Sequence, residues 1–171
     1  MSRHLVIPAI VALAGLAADP ALTITRTIVL DRSIAGVHVG ETRASIERRI
    51  GQGFVLGGAR DDTSTVPPSH VERIEYDGAG LYVTYVSRGN SARRLAAARA
   101  TVLETTWTSF LTPQGVHVGS PLGALQRIPG LRCFASVCQH GYSKSSGGAG
   151  TSFLVDPVRR KVVRIVVSAG R

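Results

Sequence analysis

The pentapeptide Gly36-Val37-His38-Val39-Gly40 recurs as Gly115-Val116-His117-Val118-Gly119, an offset of 79 residues. A five-residue match in a chain of 171 residues points to a repeat, and a repeat restricts the fold to one small unit used twice. Carried without gaps, the offset pairs residues 21–92 with residues 100–171. Twelve of those 72 pairs are identical, so the pentapeptide rather than overall identity carries the expectation.

The local patterns of the two halves agree with it. A β-rich run comes first in each, over residues 24–30 and again over residues 100–111, where Val102, Thr105, Thr106, Trp107 and Thr108 fall. After the Gly-Val-His-Val-Gly turn, Thr42 can cap a helix over residues 43–50 with Ile46 and Ile50 at helical spacing and Gly51 as the stop. In the second half Ser120 can cap, Pro121 suits the first helical position, Leu122 and Leu125 point inward, and Pro129-Gly130 end the helix. Each half then closes with a hairpin: residues 71–76 and 81–86 flank Asp77-Gly78-Ala79-Gly80, and residues 152–155 and 162–167 flank Asp156-Pro157-Val158-Arg159. The expectation is an α+β fold: a tandem duplication of a β-α-β-β unit, forming one antiparallel sheet with short helices on one face. Neither unit could bury its helix and sheet face alone.

The first residues predict export. Arg3 and His4 precede an apolar run over residues 5–14, and the small residues Gly15, Ala17 and Ala18 follow, as a signal peptidase requires. The run is shorter than the roughly 20 residues of a membrane-spanning helix, so residues 1–17 read as a signal peptide, with an uncleaved anchor as the alternative. The expected location is outside the cell or in the periplasm or envelope, with no transmembrane anchor after cleavage. Cys133 and Cys138 are the two cysteines, and in an exported chain they read as a disulfide holding a local turn. The competing reading makes Cys133, Cys138 and His140 three zinc ligands, for which no fourth with recognisable spacing exists.

Loss of residues 1–17 removes one Arg and leaves 19 basic against 11 acidic side chains, a net charge of +8. The basic clusters at Arg48-Arg49, residues 93–99 and residues 159–164 lack the stacking aromatics or groove-binding helix of a nucleic-acid reader, and aromatics are only 5% of the chain. An acidic protein or an anionic cell-envelope polymer is the expected partner, and nucleic acid is not.

Val39-Gly40-Glu41-Thr42-Arg43-Ala44-Ser45-Ile46, followed by Ile50-Gly51, resembles the apolar-Gly-x-Thr-x-x-x-apolar…Gly signature of the β-lactamase-inhibitory-protein-like fold. That fold is similar in turn to the small lipoprotein of the outer-membrane barrel-assembly machine. The resemblance implies a secreted, disulfide-bearing tandem duplication of a short αβ unit, with a binding role and no catalysis. Two departures stand out: Pro121 takes the place of Thr in the second half, and the first half has no cysteine.

Chemistry-bearing groups are scattered. His38 and His117 occupy matching places and could form a symmetric metal or proton site, yet no carboxylate accompanies either, and alternation with valine has each imidazole facing solvent or packed at a strand end. Ser143, Ser145 and Ser146 lie near His140 without a G-x-S-x-G elbow or an S-x-x-K. Glu72 and Glu75 would fall on opposite strand faces and read as solvated. No catalytic set, metal set or cofactor loop is expected. The sheet face and the turn-rich polar loops over residues 60–69 and 140–150 are the expected binding elements instead, with Arg60, Asp61, Asp62, His140, Tyr142 and Lys144 as candidate residues. The expected function is a secreted, non-catalytic binding module. The alternative is a small secreted hydrolase or metal-dependent enzyme using His140, Cys133 and Cys138, or His38 and His117.

Overall fold

The computed structural model describes residues 24–57, 60–62, 69–89, 91–142 and 149–170. The signal peptide expected over residues 1–17 lies outside them. The described residues open with a small antiparallel sheet of β1 (Ile28–Val29), β2 (Ser33–Ile34) and β3 (Val37–His38). Helix α1 (Arg43–Ile50) follows, started by Thr42, whose side chain accepts from the Ser45 N–H, and ended at Gly51, where φ is 87°. Then come β4 (Phe54–Val55), β5 (Arg60–Asp62), β6 (Ser69–Tyr76), β7 (Leu81–Ser87), the short α2 (Ala92–Ala96) and β8 (Arg99–Thr105). A 3-10 helix (Leu122–Arg127) leads into β9 (Arg132–Phe134), β10 (Val137–His140), β11 (Gly150–Asp156) and β12 (Lys161–Ser168).

Eight of these strands form one antiparallel sheet in the order β4-β6-β7-β8-β12-β11-β10-β9, and β5 pairs with β6 beside β4. The long strands alternate: Ile74, Tyr76, Leu81, Val83, Tyr85, Leu103, Phe153, Ile165 and Val167 are buried on one face. The small sheet packs against β8 on that side, bringing the fully buried Ile28, Ile34 and Val37. Ile46 of α1 and Leu125 of the 3-10 helix enter the same core. The fold is thus α+β, mostly antiparallel β with a few short helices.

The two halves of the sheet repeat one set of backbone contacts. The Gly40 N–H bonds the Ala100 carbonyl at 2.7 Å, and the Gly119 N–H bonds Val162 at 2.7 Å. The Arg43 N–H reaches the Ala98 carbonyl and the Ala100 N–H reaches Glu41; likewise the Leu122 N–H reaches Arg160 and the Val162 N–H reaches Ser120. A register shift falls at Thr84/Tyr85 between β7 and β8, and another at Leu154/Val155 between β11 and β12. At the central seam Leu103 pairs with Val167, Glu104 with Val166 and Thr105 with Ile165, a register unchanged when each position on β8 is exchanged with the one 62 residues later.

These contacts correct the gapless offset. It holds through Gly36/Gly115 and Gly40/Gly119, whose φ values of 74°/74° and 84°/97° suit glycine in both places. Beyond that the matched contacts fall at another spacing, Ala100 and Val162 being 62 residues apart. Along the chain α1 is followed by β4, β5, β6, β7, α2 and β8, and the 3-10 helix by β9, β10, β11 and β12, so neither stretch runs β-α-β-β. Over residues 24–30 the only strand is β1, since Asp31 turns the chain at φ 62°. The run expected over residues 100–111 stops at Thr105, whose hydroxyl donates to the Gly80 carbonyl at 2.8 Å and accepts from the Trp107 N–H at 3.1 Å. The second helix is 3-10: Pro121 stays extended with no side-chain cap, and Gly123 weakens the turn that follows.

Candidate functional site

With the core on one side, the sheet's other face presents a row crossing all eight strands: Phe54, Glu75, Tyr82, Glu104, Val166, Ser152, Gln139 and Arg132. Glu104 sits at its centre and takes Arg73 at 2.8 Å and Arg164 at 3.2 Å, while the Arg73 guanidinium lies 5.0 Å from the Tyr82 ring centroid. The Tyr82 phenol is raised, first by its hydrogen bond to Glu75 and then by burial. Aromatic rings mark both edges, Phe54 being 72% exposed on β4 and Phe134 64% on β9. The arrangement is amphipathic and wide, and its central charges are pinned.

The register brings three connections to one end of this sheet. Asp62 pairs with Ser69, His70 with Ser87, Val86 with Arg99, Val102 with Ser168, Ser168 with Gly150, and Thr151 with His140. The segments from β5 to β6, from β7 to β8 and from β10 to β11 therefore leave from the same side. Here Arg88, Arg93, Arg94 and Arg99 are exposed, and none forms an ion pair with a described residue. Two are held by backbone instead: Arg94 donates to the Arg88 carbonyl at 2.7 Å and Arg99 to Gly40 at 2.8 Å. Among the expected binding residues, Arg60, Asp61 and Asp62 lie at this end on β5, their side chains outside the described residues. Lys144, Ser143, Ser145 and Ser146 also fall outside. Tyr142 is described: it folds over the open face with its hydroxyl 2.9 Å from Ser168 Oγ and accepts from Ser152 at 3.2 Å.

His140 acquires a partner that spacing could not reveal. Its Nδ1 lies 2.8 Å from Oδ2 of Asp31, 109 residues earlier in the turn between β1 and β2. The other Asp31 oxygen accepts from the Thr151 hydroxyl at 2.9 Å, while the Asp31 N–H donates to that same hydroxyl at 2.6 Å. Thr151 is fully buried with its oxygen engaged in both directions, so it ties the small sheet to β11 and is no nucleophile. Two His–carboxylate pairs stand among the described residues, His140 with Asp31 at 2.8 Å and His70 with Glu72 at 3.3 Å.

Elsewhere the expected sites change character. Glu72 is buried, not solvated: Arg43 of α1 reaches it at 2.8 Å, His70 Nε2 lies 3.3 Å from its other oxygen, and Arg43 also holds Glu47 at 2.7 Å. Burial opposes the Arg43 charge, but Glu47 and Glu72 more than offset it and raise the guanidinium. Beside this network the Tyr76 and Tyr85 hydroxyls meet at 2.8 Å; burial pushes Tyr76 up to about 12 and Tyr85 further. Glu75 stays on the open face, as alternation requires.

Cys133 and Cys138 face each other across β9 and β10 and are joined as a disulfide. Both sulfurs being taken, the zinc reading of this pair with His140 is overturned. His38 is exposed, with its N–H on the Glu41 carboxylate at 3.1 Å; the His117 N–H bonds Ser120 Oγ at 3.0 Å and its Nδ1 the Val118 carbonyl at 2.7 Å. Burial disfavours the Glu41 charge, yet the His38 N–H, Arg49 and Ser45 together hold its carboxyl below the usual range. Among the described residues no three His, Cys, Asp or Glu side chains converge as metal ligands, and no helix is long and apolar enough to cross a membrane. Comparison with protein-family profiles, with curated proteins and with solved structures gives no match.

Proposed function

We propose that the chain is an exported, non-catalytic binding module that docks an acidic protein or an anionic cell-envelope polymer on the open sheet face and the loop end beside it. The observation that carries this reading is the gathering of Arg88, Arg93, Arg94 and Arg99, unpaired among the described residues, at the end where three connections meet. Unpaired guanidinium groups beside an amphipathic sheet face steer an anionic partner and add charge-assisted hydrogen bonds on contact.

We further infer that the sheet is a tandem copy of one helix-plus-four-strand unit, the equivalence running from an offset of 79 at the pentapeptides to 62 at β8 and β12. The matched hydrogen bonds and register shifts support it, as does the likeness of the α1 start to the β-lactamase-inhibitory-protein-like fold. A second reading, a small secreted hydrolase, rests on the Asp31–His140 pair alone.

The test is binding to polyglutamate as a defined anionic polymer, with the triple variant Arg88→Glu, Arg93→Glu, Arg94→Glu alongside. Each exposed charge contributes about 0.5 kcal/mol, so the triple reversal weakens binding about tenfold, and salt weakens the parent protein's binding in the same direction. Equal affinity of both proteins, or no salt dependence, overturns the docking surface. Turnover of an ester, peptide or glycan that His140→Ala abolishes favours the hydrolase.

A further inference from the structure

The two halves of the sheet differ most where helix meets sheet. In the first, Arg43 bolts α1 to β6 through Glu72, with Glu47 and His70 completing the network. By the matched backbone contacts, Leu122 stands where Arg43 stands, and Ser136, whose carbonyl accepts from the Val155 N–H, stands where Glu72 lies opposite Tyr85. The second half therefore has no bolt, and a cleft of about 590 Å³ opens between the 3-10 helix and the edge at β9.

The lining is half apolar, from Leu122, Leu131 and the Cys133 end of the disulfide over the buried Leu125 and Ile128, and half polar, with Gln126 and Arg160 in it. Arg160 is exposed and forms no ion pair with a described residue, whereas its counterpart Ala98 carries no charge. Its backbone is fixed from two sides, the N–H on the Asp156 carbonyl at 2.8 Å and the carbonyl under the Leu122 N–H at 2.8 Å. The Asp156 carboxylate lies in an adjoining hollow, occupied with the N–H groups of Val158 and Arg159 at 2.8 and 3.0 Å.

We propose that this cleft binds a linear amphiphile with one anionic head, its hydrocarbon chain between the 3-10 helix and β9 and its carboxylate or phosphate on Arg160. The volume falls within the range of small-ligand sites, and one charged group beside an apolar strip fixes orientation as such sites do. The site is separate from the open sheet face and stands without that reading.

Dodecanoate, titrated calorimetrically into the oxidised full chain below its micelle concentration, is the probe. It binds with a stoichiometry of about one. Arg160→Asn, asparagine being tolerant of the left-handed φ of 52°, weakens it about tenfold through loss of a charge-assisted contact. Gly123→Phe, at a position with open space around its Cβ, plugs the cleft and abolishes binding while the melting temperature holds. Absence of stoichiometric binding overturns the proposal. So does binding that follows Arg160 but ignores Gly123→Phe, which puts the ligand on the outer surface.

Discussion

Replacing Arg43 by Leu tests whether α1 is held by charge or by shape. The guanidinium lies between Glu47 at 2.7 Å and Glu72 at 2.8 Å, with the Arg43 and Glu72 side chains 18% and 10% exposed. Breaking a fully buried pair costs about 3–5 kcal/mol, most of it from the charge left behind; the residual exposure here and the nearby His70 lower that to about 2–3 kcal/mol. Glu72→Leu strands Arg43 less severely, because Glu47 remains, and costs about 1–2 kcal/mol. The double variant removes the Arg43 and Glu72 charges, leaves Glu47 facing solvent with its side chain 22% exposed, and fills the space with hydrocarbon, so it returns to within about 1 kcal/mol of the parent. Urea unfolding followed by Trp107 fluorescence gives all three values. For a domain of this size each kcal/mol moves the melting temperature by roughly 2–4 °C, which thermal scans resolve. An Arg43→Leu variant within about 0.5 kcal/mol of the parent refutes the bolt, as does a double variant that loses the sum of the two singles.

Four further outcomes follow from the same geometry. The Tyr76 and Tyr85 phenols are raised above the unfolded value of about 10, so their contribution is intact below pH 10 and is lost as pH rises through the folded values; phenolate absorbance shows two of the four tyrosines ionising only with unfolding. Glu41 is depressed, so its contribution is present above pH of about 4.3 and disappears as pH falls through the lower folded value; Glu41→Gln flattens that acid limb in unfolding measured against pH. Gly80→Ala costs about 3 kcal/mol, because the position has φ 57° and an added Cβ runs into the Trp107 ring, and a shift in Trp107 emission accompanies it. The Cys133→Ser, Cys138→Ser pair loses about 2 kcal/mol, since the loop closed is short, and reductant lowers the parent's stability to the same level.

What could be read from the chain was local. The β6–β7 and β11–β12 hairpins, the Thr42 cap and the Gly51 stop each follow from alternation or from one residue's backbone preference, and the structure places all of them. The disulfide follows from two cysteines five residues apart read in an exported chain, and the structure joins them. Strands β4, β5, β9 and β10 were missed because two to four residues give alternation no room to show. The Asp31–His140 pair and the Arg43–Glu72 bolt were missed for a different reason. They join residues 109 and 29 positions apart, and no spacing rule reaches across a fold. The offset of 79 is legible at the glycines, where the two pentapeptides turn with matching positive φ. Farther along the chain the matched backbone contacts stand 62 residues apart, a spacing the sequence does not display.

The seam between β8 and β12 bears on how the chain is put together during synthesis. β4, β6, β7 and β8 are all made by residue 105, and they pair with strands near them in sequence, yet β8's other edge waits for residues 161–168. Until then Val102, Leu103 and Glu104 form an unprotected strand edge in the middle of the future sheet, open to pairing with another nascent copy. Closing that seam joins residues 60 or more apart in sequence, with the 3-10 helix and β9, β10 and β11 in between, and long-range pairing of this kind is slow relative to hairpin formation.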